Sequence, residues 1–253
     1  MNQGQILSRT DGPVRILTID RPEKRNALTI AMYESLIEEL RKVDAEDGIR
    51  VVLLTGQGDA FTAGNDLGDF LHDPPAGEDS AVVKLLFQLV DLQKPLVAAV
   101  DGPAIGIGTT LLLHADYVLA STRARFQFPF VQLGITPEGG STLLLPLLVG
   151  MARASEWLLF GDSFDAAAAK EARFVNAVVP SEELATAALA RSRSLANRPF
   201  SAVLATKHLL RAPLRERVKD ALRREGQQFI ERVRSPEAVA AFRAFLERGA
   251  HKP

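Results

Sequence analysis

Cysteine is absent from the 253 residues. Its absence excludes disulfides, thiolate zinc sites, iron–sulfur clusters and a cysteine nucleophile, and leaves the redox compartment open. Histidine occurs four times, at 72, 114, 208 and 251, never in a ligand spacing such as HExxH, so no metal site is expected. Aromatic residues make up 6% of the chain and the formal net charge is -1, which leaves neither a stacking platform nor a basic field for nucleic acid or an anionic membrane. No run reaches the roughly 18 apolar residues of a membrane span, and the polar Met1 to Thr10 does not read as a signal peptide. The terminal His251, Lys252 and Pro253 are not a Ser-Lys-Leu address, and the expectation is a cytoplasmic protein.

What is there is an ordinary globular composition, 47% hydrophobic and 24% charged, in a chain long enough to bury a substantial core. Val14 to Asp20, Val51 to Thr55, Leu96 to Val100 and Tyr117 to Ser121 are short β-rich apolar runs, the pattern of strands covered on both faces. Ile30, Tyr33, Leu36, Ile37, Leu40 and Val43 recur at helical spacing behind a Thr29 N-cap, which predicts a helix from Thr29 to Glu46. Pro74, Pro75 and Gly77 mark Leu71 to Asp79 as a loop and a candidate lid, before a helix from Ser80 to about Leu92. After Val179 the strand signals stop. Ser181 to Asn197, Pro199 to Leu210, Leu214 to Val233 and Pro236 to Glu247 read as helices. No repeat or linker separates domains, so the chain is expected to be one α/β unit, a core over residues 1–197 with a helical region over 198–253.

Three loops could carry chemistry. Phe61-Thr62-Ala63-Gly64-Asn65-Asp66-Leu67 follows a strand, and its small residues would admit a ligand close to the backbone. An ordinary strand-to-helix loop would look the same. Asp101 to Thr109 also follows a strand and contains Gly102, Gly106 and Gly108, so its free N–H groups could cradle an oxyanion or serve only close helix–strand packing. It lacks the third glycine of a dinucleotide fingerprint and the Gly-Lys-Ser/Thr of a P-loop. Pro137-Glu138-Gly139-Gly140-Ser141 places a carboxylate at a helix start, either as a catalytic acid or as a partner of the helix dipole. Arg21, Lys24 and Arg25 form a basic cluster that could hold a phosphate or simply face solvent.

The segments Arg21-Pro22-Glu23-Lys24-Arg25-Asn26-Ala27-Leu28, then FTAGNDL at 61–67, then KPLVAAVDGPAIGIG at 94–108, resemble the crotonase (enoyl-CoA hydratase/isomerase) superfamily over nearly the whole chain. The resemblance implies a spiral of repeated ββα units with a C-terminal helical trimerisation region, assembled as a homotrimer or a dimer of trimers. It implies an acyl-CoA thioester as the substrate, and no cofactor beyond the coenzyme A that the substrate carries. By the same resemblance the backbone N–H groups of Asn65 and Ile107 form an oxyanion hole. Lys24, Arg25, Ala27, Ala63, Gly64, Asp66, Leu67, Gly106 and Phe130 are expected along the CoA and substrate path, with Lys207 a further candidate.

Family hydratases carry two catalytic glutamates, whereas the corresponding positions here are Thr110 and the Phe128-Pro129-Phe130 run. Glu138 instead matches the single acid of peroxisomal-type Δ3,Δ2-enoyl-CoA isomerases. Allylic isomerisation in fatty acid β-oxidation is therefore the expected activity, with Glu138 as catalytic residue in a partly apolar pocket against Phe130 and Leu143. The alternatives are an enoyl-CoA hydratase, another acyl-CoA-transforming crotonase, and a catalytically idle acyl-CoA-binding protein.

Overall fold

The computed structural model describes residues 4–66, 68 and 76–250, and of 245–250 the backbone alone. Leu67 and residues 71–75 of the candidate lid loop lie outside the described residues.

Strands β1 (Gln5–Asp11) and β2 (Val14–Asp20) pair antiparallel, and β2 continues in parallel pairing to β3 (Val51–Gly56), β4 (Leu96–Val100), β6 (Tyr117–Ser121) and β9 (Ala177–Val179) in one six-stranded sheet. The apolar runs read from the sequence are β2, β3, β4 and β6. β1 has no such run, because its side chains are mostly exposed at the sheet edge. Every residue of β4 is buried, as a parallel strand covered on both faces requires. On one face pack α1 (Ile30–Ala45) and α2 (Ala81–Asp91). On the other, Leu184, Ala188 and Ala196 of α7 (Ser181–Ala196) cover Ile16, Leu53, Val97 and Leu119.

Helix α1 starts where expected, since the Thr29 hydroxyl accepts a hydrogen bond from Met32 N at 3.3 Å. Its buried stripe of Met32, Tyr33, Leu36, Ile37, Leu40 and Val43 is the periodic set, each large side chain worth about 2 kcal/mol of burial.

A smaller sheet is formed by β5 (Pro103–Ile105), β7 (Arg125–Gln127) and β8 (Phe164–Asp165). Each passes too briefly through extended structure to leave a run in the sequence. β4 leads into β5 and then α3 (Ile107–Thr110); β6 leads into β7 and then a helical turn at Val131–Leu133. The segment after β3 does the same in miniature, with Thr62 bridging Ala104. This recurrence is the ββα spiral. Phe126, Phe128, Trp157, Phe164 and Phe174 pack together against the small sheet, with Trp157 stacked on Phe164 at 3.7 Å between centroids. Phe128 is thus a core residue.

Helices α4 (Ser141–Val149), α5 (Met151–Phe160) and α6 (Ala166–Glu171) precede β9, and α8 (Phe200–Val233) and α9 (Pro236–Ala250) close the chain. The two helices expected on either side of Pro213 are one, α8. Proline removes a single backbone donor, and Arg211 and Arg215 anchor its two sides to Asp116 and Asp91 at 3.2 and 2.6 Å, which holds the helix through the interruption.

Candidate active site

Both candidate loops leave the C-terminal ends of parallel strands, 57–66 from β3 and 101–106 from β4, the place where open α/β sheets form crevices. They are stitched together by their backbones. Phe61 N and Thr62 N both donate to Pro103 O at 3.0 Å, and Ile105 N donates to Thr62 O at 3.0 Å.

The same alternation decides which donors stay free. Leu28 N donates to Gly64 O at 2.8 Å and Asp66 N donates to Leu28 O at 2.9 Å, so Asn65, the residue between them, turns its own N–H away from Leu28. Gly106 N is spent on Gln127 O at 3.0 Å, whereas Ile107 is the first residue of α3, where an N–H has no acceptor within the helix. Among the described residues, then, Asn65 N–H and Ile107 N–H have no protein acceptor, and both residues line one cavity. Gly64 is required in this arrangement. It sits at φ +92, and a Cβ there would lie 2.8 Å from Ile105 O.

That cavity, about 460 Å³, is lined by Lys24, Ala27, Ala63, Gly64, Asn65, Asp66, Gly68, Gly106, Ile107 and Phe130, among others. Most of the residues expected along the substrate path therefore meet there. Arg25 is exposed and outside the lining; its carbonyl accepts from Ala63 N at 2.9 Å and shapes the loop. Asp66 also has a structural task, because Arg21 Nη1 pairs with its Oδ2 at 2.6 Å with both side chains largely buried. Lys207 lines neither this cavity nor the next; its ammonium is bound by Asp116 Oδ2 at 2.7 Å and Lys94 O at 2.8 Å.

A second cavity, about 330 Å³, shares Asn65 and Phe229 with the first. Its walls are Val82, Val83, Leu86 and Phe87 of α2 and Leu222 and Ile230 of α8, and Glu138 lies among them. Phe130 lines the neighbouring cavity, and Leu143 neither; the apolar wall beside Glu138 comes from α2 and α8. Long-range packing chose those partners, and no local spacing marks them.

Glu138 Oε1 accepts a hydrogen bond from Thr110 Oγ1 at 2.6 Å, and Oε2 is buried with no partner among the described residues. Burial pushes its pKa up to about 8; the negative charge of Glu225 acts in the same direction, and the Thr110 hydrogen bond opposes both. The Thr110 hydroxyl, 3.3 Å from Ile107 O, has an alternative acceptor when the carboxyl is protonated. Gly139 permits this close approach, since a Cβ at that position would lie 2.7 Å from Thr110 Cβ.

Three participants escaped the sequence reading. Tyr33, counted there only as part of an apolar stripe, donates to Asn65 Oδ1 at 2.6 Å, and burial together with the nearby Glu138 raises its phenol well above 10. A tyrosine on a core face always needs a partner for its hydroxyl, which was the one available signal. His114, pulled by burial down to about 4, lies with Nε2 at 2.8 Å from Gly139 O. Glu225, in the polar helix α8, binds the turn after Glu138.

A sequence profile described as enoyl-CoA hydratase/isomerase matches residues 9–252. Over 249 residues the chain is 34% identical to "Enoyl-CoA delta isomerase 2" of Rattus norvegicus, covering 96% of this chain and 63% of that protein, so it spans less than two thirds of that relative's length. It is also 34% identical over 236 residues to the "2,3-dehydroadipyl-CoA hydratase" of Escherichia coli K12, covering 93% and 92% of the two chains. Among solved structures, an enoyl-CoA hydratase/isomerase from Pseudoalteromonas atlantica T6c superposes with a TM-score of 0.92 at 40% identity, covering 96% of this chain and 97% of the other. Among the described residues, no helix is long and apolar enough to cross a membrane, and no group of three or more His, Asp or Glu could hold a metal ion.

Proposed function

The chain belongs to the enoyl-CoA hydratase/isomerase family, and from that premise we propose that it is a Δ3,Δ2-enoyl-CoA isomerase working with one carboxyl group. The observation that carries this reading is Glu138 Oε2, buried with no partner among the described residues, beside an apolar cavity that shares Asn65 with the neighbouring one. The thioester oxygen would accept from Asn65 N–H and Ile107 N–H, and the acyl chain would lie between α2 and α8. The CoA moiety would extend past Ala63 to Asp66 and Lys24.

In this arrangement Glu138 takes the C2 proton of a 3-enoyl thioester. The C–H electron pair delocalises into a dienolate whose oxygen charge meets two fixed donors, each typically worth about 3 kcal/mol in the transition state. The same carboxyl, now protonated, returns the proton at C4, leaving the double bond between C2 and C3. No group besides the substrate's own coenzyme A takes part. A pKa near 8 suits the task, because the group must be a base in one half-reaction and an acid in the other. Hydration would additionally need a second acid to place water, and Thr110 and Phe130, at the two positions where the family hydratases carry glutamate, supply none.

We extend the reading to assembly, as a homotrimer or dimer of trimers. Leu147, Leu148 and Met151, with Leu159 and Phe160 of α5, are exposed large apolar side chains of the kind oligomer contacts cover.

Incubation with 3-enoyl-CoA and 2-enoyl-CoA esters of several chain lengths tests the activity. The expected result is conjugation of the 3-enoyl esters, no hydration of the 2-enoyl esters, and loss of turnover in Glu138→Gln with acyl-CoA binding retained. Hydration of the 2-enoyl esters would make the chain a hydratase. Binding without turnover on any ester would make it an idle acyl-CoA-binding protein.

A further inference from the structure

Helix α4 begins with no side chain of its own capping it and no acidic residue in its first turn. Its first donors are met from far along the chain. Glu225 of α8 accepts from Gly140 N at 2.6 Å through Oε2, and from Thr142 N at 2.9 Å and Thr142 Oγ1 at 2.5 Å through Oε1. Glu225 is only 6% exposed. Where a side chain does cap a helix start, as Thr29 does on α1 and Asp165 on α6, it comes from the N-cap residue itself. A carboxylate buried this deeply is costly unless its oxygens are fully engaged, and here the engaged donors belong to the turn that carries Glu138.

We propose that Glu225 is a positioning residue for Glu138, holding the 138–142 turn through both carboxylate oxygens and placing a second negative charge behind the acid. The proposal rests on Glu138 being the acid–base group, and not on which thioester it serves.

The groups facing the two carboxyls support it. From α1 comes Tyr33, which stays a neutral phenol. From the helical turn Leu111–His114 comes His114, neutral above about 4, and its Nε2–H then donates to Gly139 O, clamping the same turn from the opposite side. Thr110 contributes a hydroxyl. The cation acting on Glu225 is Arg224, its neighbour on α8, while Arg223 at the cavity wall is paired with Glu78 and Asp220. Among the described residues the charge that acts on Glu138 is the like charge of Glu225, and it favours the protonated acid. A hydroxyl or an amide, each with a single accepting oxygen, would meet only part of this donor set and would carry no such charge.

The charge role is tested without substrate, the positioning role by turnover. With glutamate 13C-labelled at its side-chain carboxyl, the NMR resonance missing in Glu138→Gln identifies Glu138, and its titration midpoint is then followed in each variant. In Glu225→Gln, which keeps size and shape, the midpoint should fall by roughly half a pH unit or more as the repelling charge disappears. In Glu225→Asp, which keeps the charge but is too short to reach all three donors, the midpoint should stay near that of the unaltered protein. Turnover should then fall roughly tenfold or more with KM little changed, because the acid is misplaced. A folded Glu225→Gln protein with an unmoved Glu138 midpoint would overturn the charge role. Undiminished turnover in Glu225→Asp would overturn the positioning role, and it can be read even if the glutamine variant does not fold. Should the isomerase reading itself fail, the NMR midpoints still decide the first half.

Discussion

Replacing Thr110 with valine changes one atom that matters. The side chain is fully buried, valine has nearly the same shape, and what disappears is the hydroxyl 2.6 Å from Glu138 Oε1. A hydrogen bond to an ionised group contributes about 1.5–3 kcal/mol, and each pH unit corresponds to about 1.4 kcal/mol, so the variant should raise the pKa of Glu138 by roughly one to two. The direction is upward because the ionised form loses its donor while the protonated form loses little. Starting from about 8, the base form amounts to about a tenth of the protein at pH 7; after substitution it falls to about a hundredth or below. The assay is kcat/KM for a 3-enoyl-CoA ester between about pH 6 and 10, read as the absorbance of the conjugated product. Turnover at pH 7 should drop about tenfold or more, and the deficit should close as the pH rises. A uniform loss at every pH with an unmoved midpoint would refute the reasoning, since Thr110 would then act through geometry alone.

Stability should carry the same signature with opposite consequence. Glu138 has its folded pKa raised from an ordinary 4.5 to about 8, so it contributes stability that is fully present below about 4.5 and is lost as the pH rises through about 8. Glu138→Gln should therefore gain on the unaltered protein with rising pH, by a few kcal/mol at pH 9. Urea titrations at pH 5 and pH 9 measure this, and a constant difference between the two proteins would contradict it. Gly64→Ala should move the Asn65 donor, because its Cβ meets Ile105 O at 2.8 Å in a backbone conformation that alanine avoids. The expected loss in kcat is roughly a hundredfold or more, with the circular dichroism spectrum retained; near-normal turnover would remove Asn65 N–H from the mechanism.

Much of the molecule was determined by local order along the chain. β2, β4 and β6 follow from apolar runs of a length and β-branched content that only strands buried on both faces need, and α1 follows from a stripe of period 3.6 behind a capping threonine. The loops at 61–66 and 101–106 and the acid at 138 stood out because glycine and small residues are placed where a backbone must approach something closely. β1, β5, β7 and β8 did not stand out, being either exposed at an edge or only two to three residues long, and Pro213 concealed the continuity of α8.

Only the tertiary structure decided the environment of the acid. Thr110 is 28 positions from Glu138 and Glu225 is 85 positions from Gly140, and the apolar wall comes from α2 and α8 on separate parts of the chain. Proton affinity depends on desolvation and on charges within a few ångströms, and those distances are set by how helices pack, which no spacing along the chain encodes. That a glutamate stands at 138 is thus a property of the sequence, and its pKa a property of the fold.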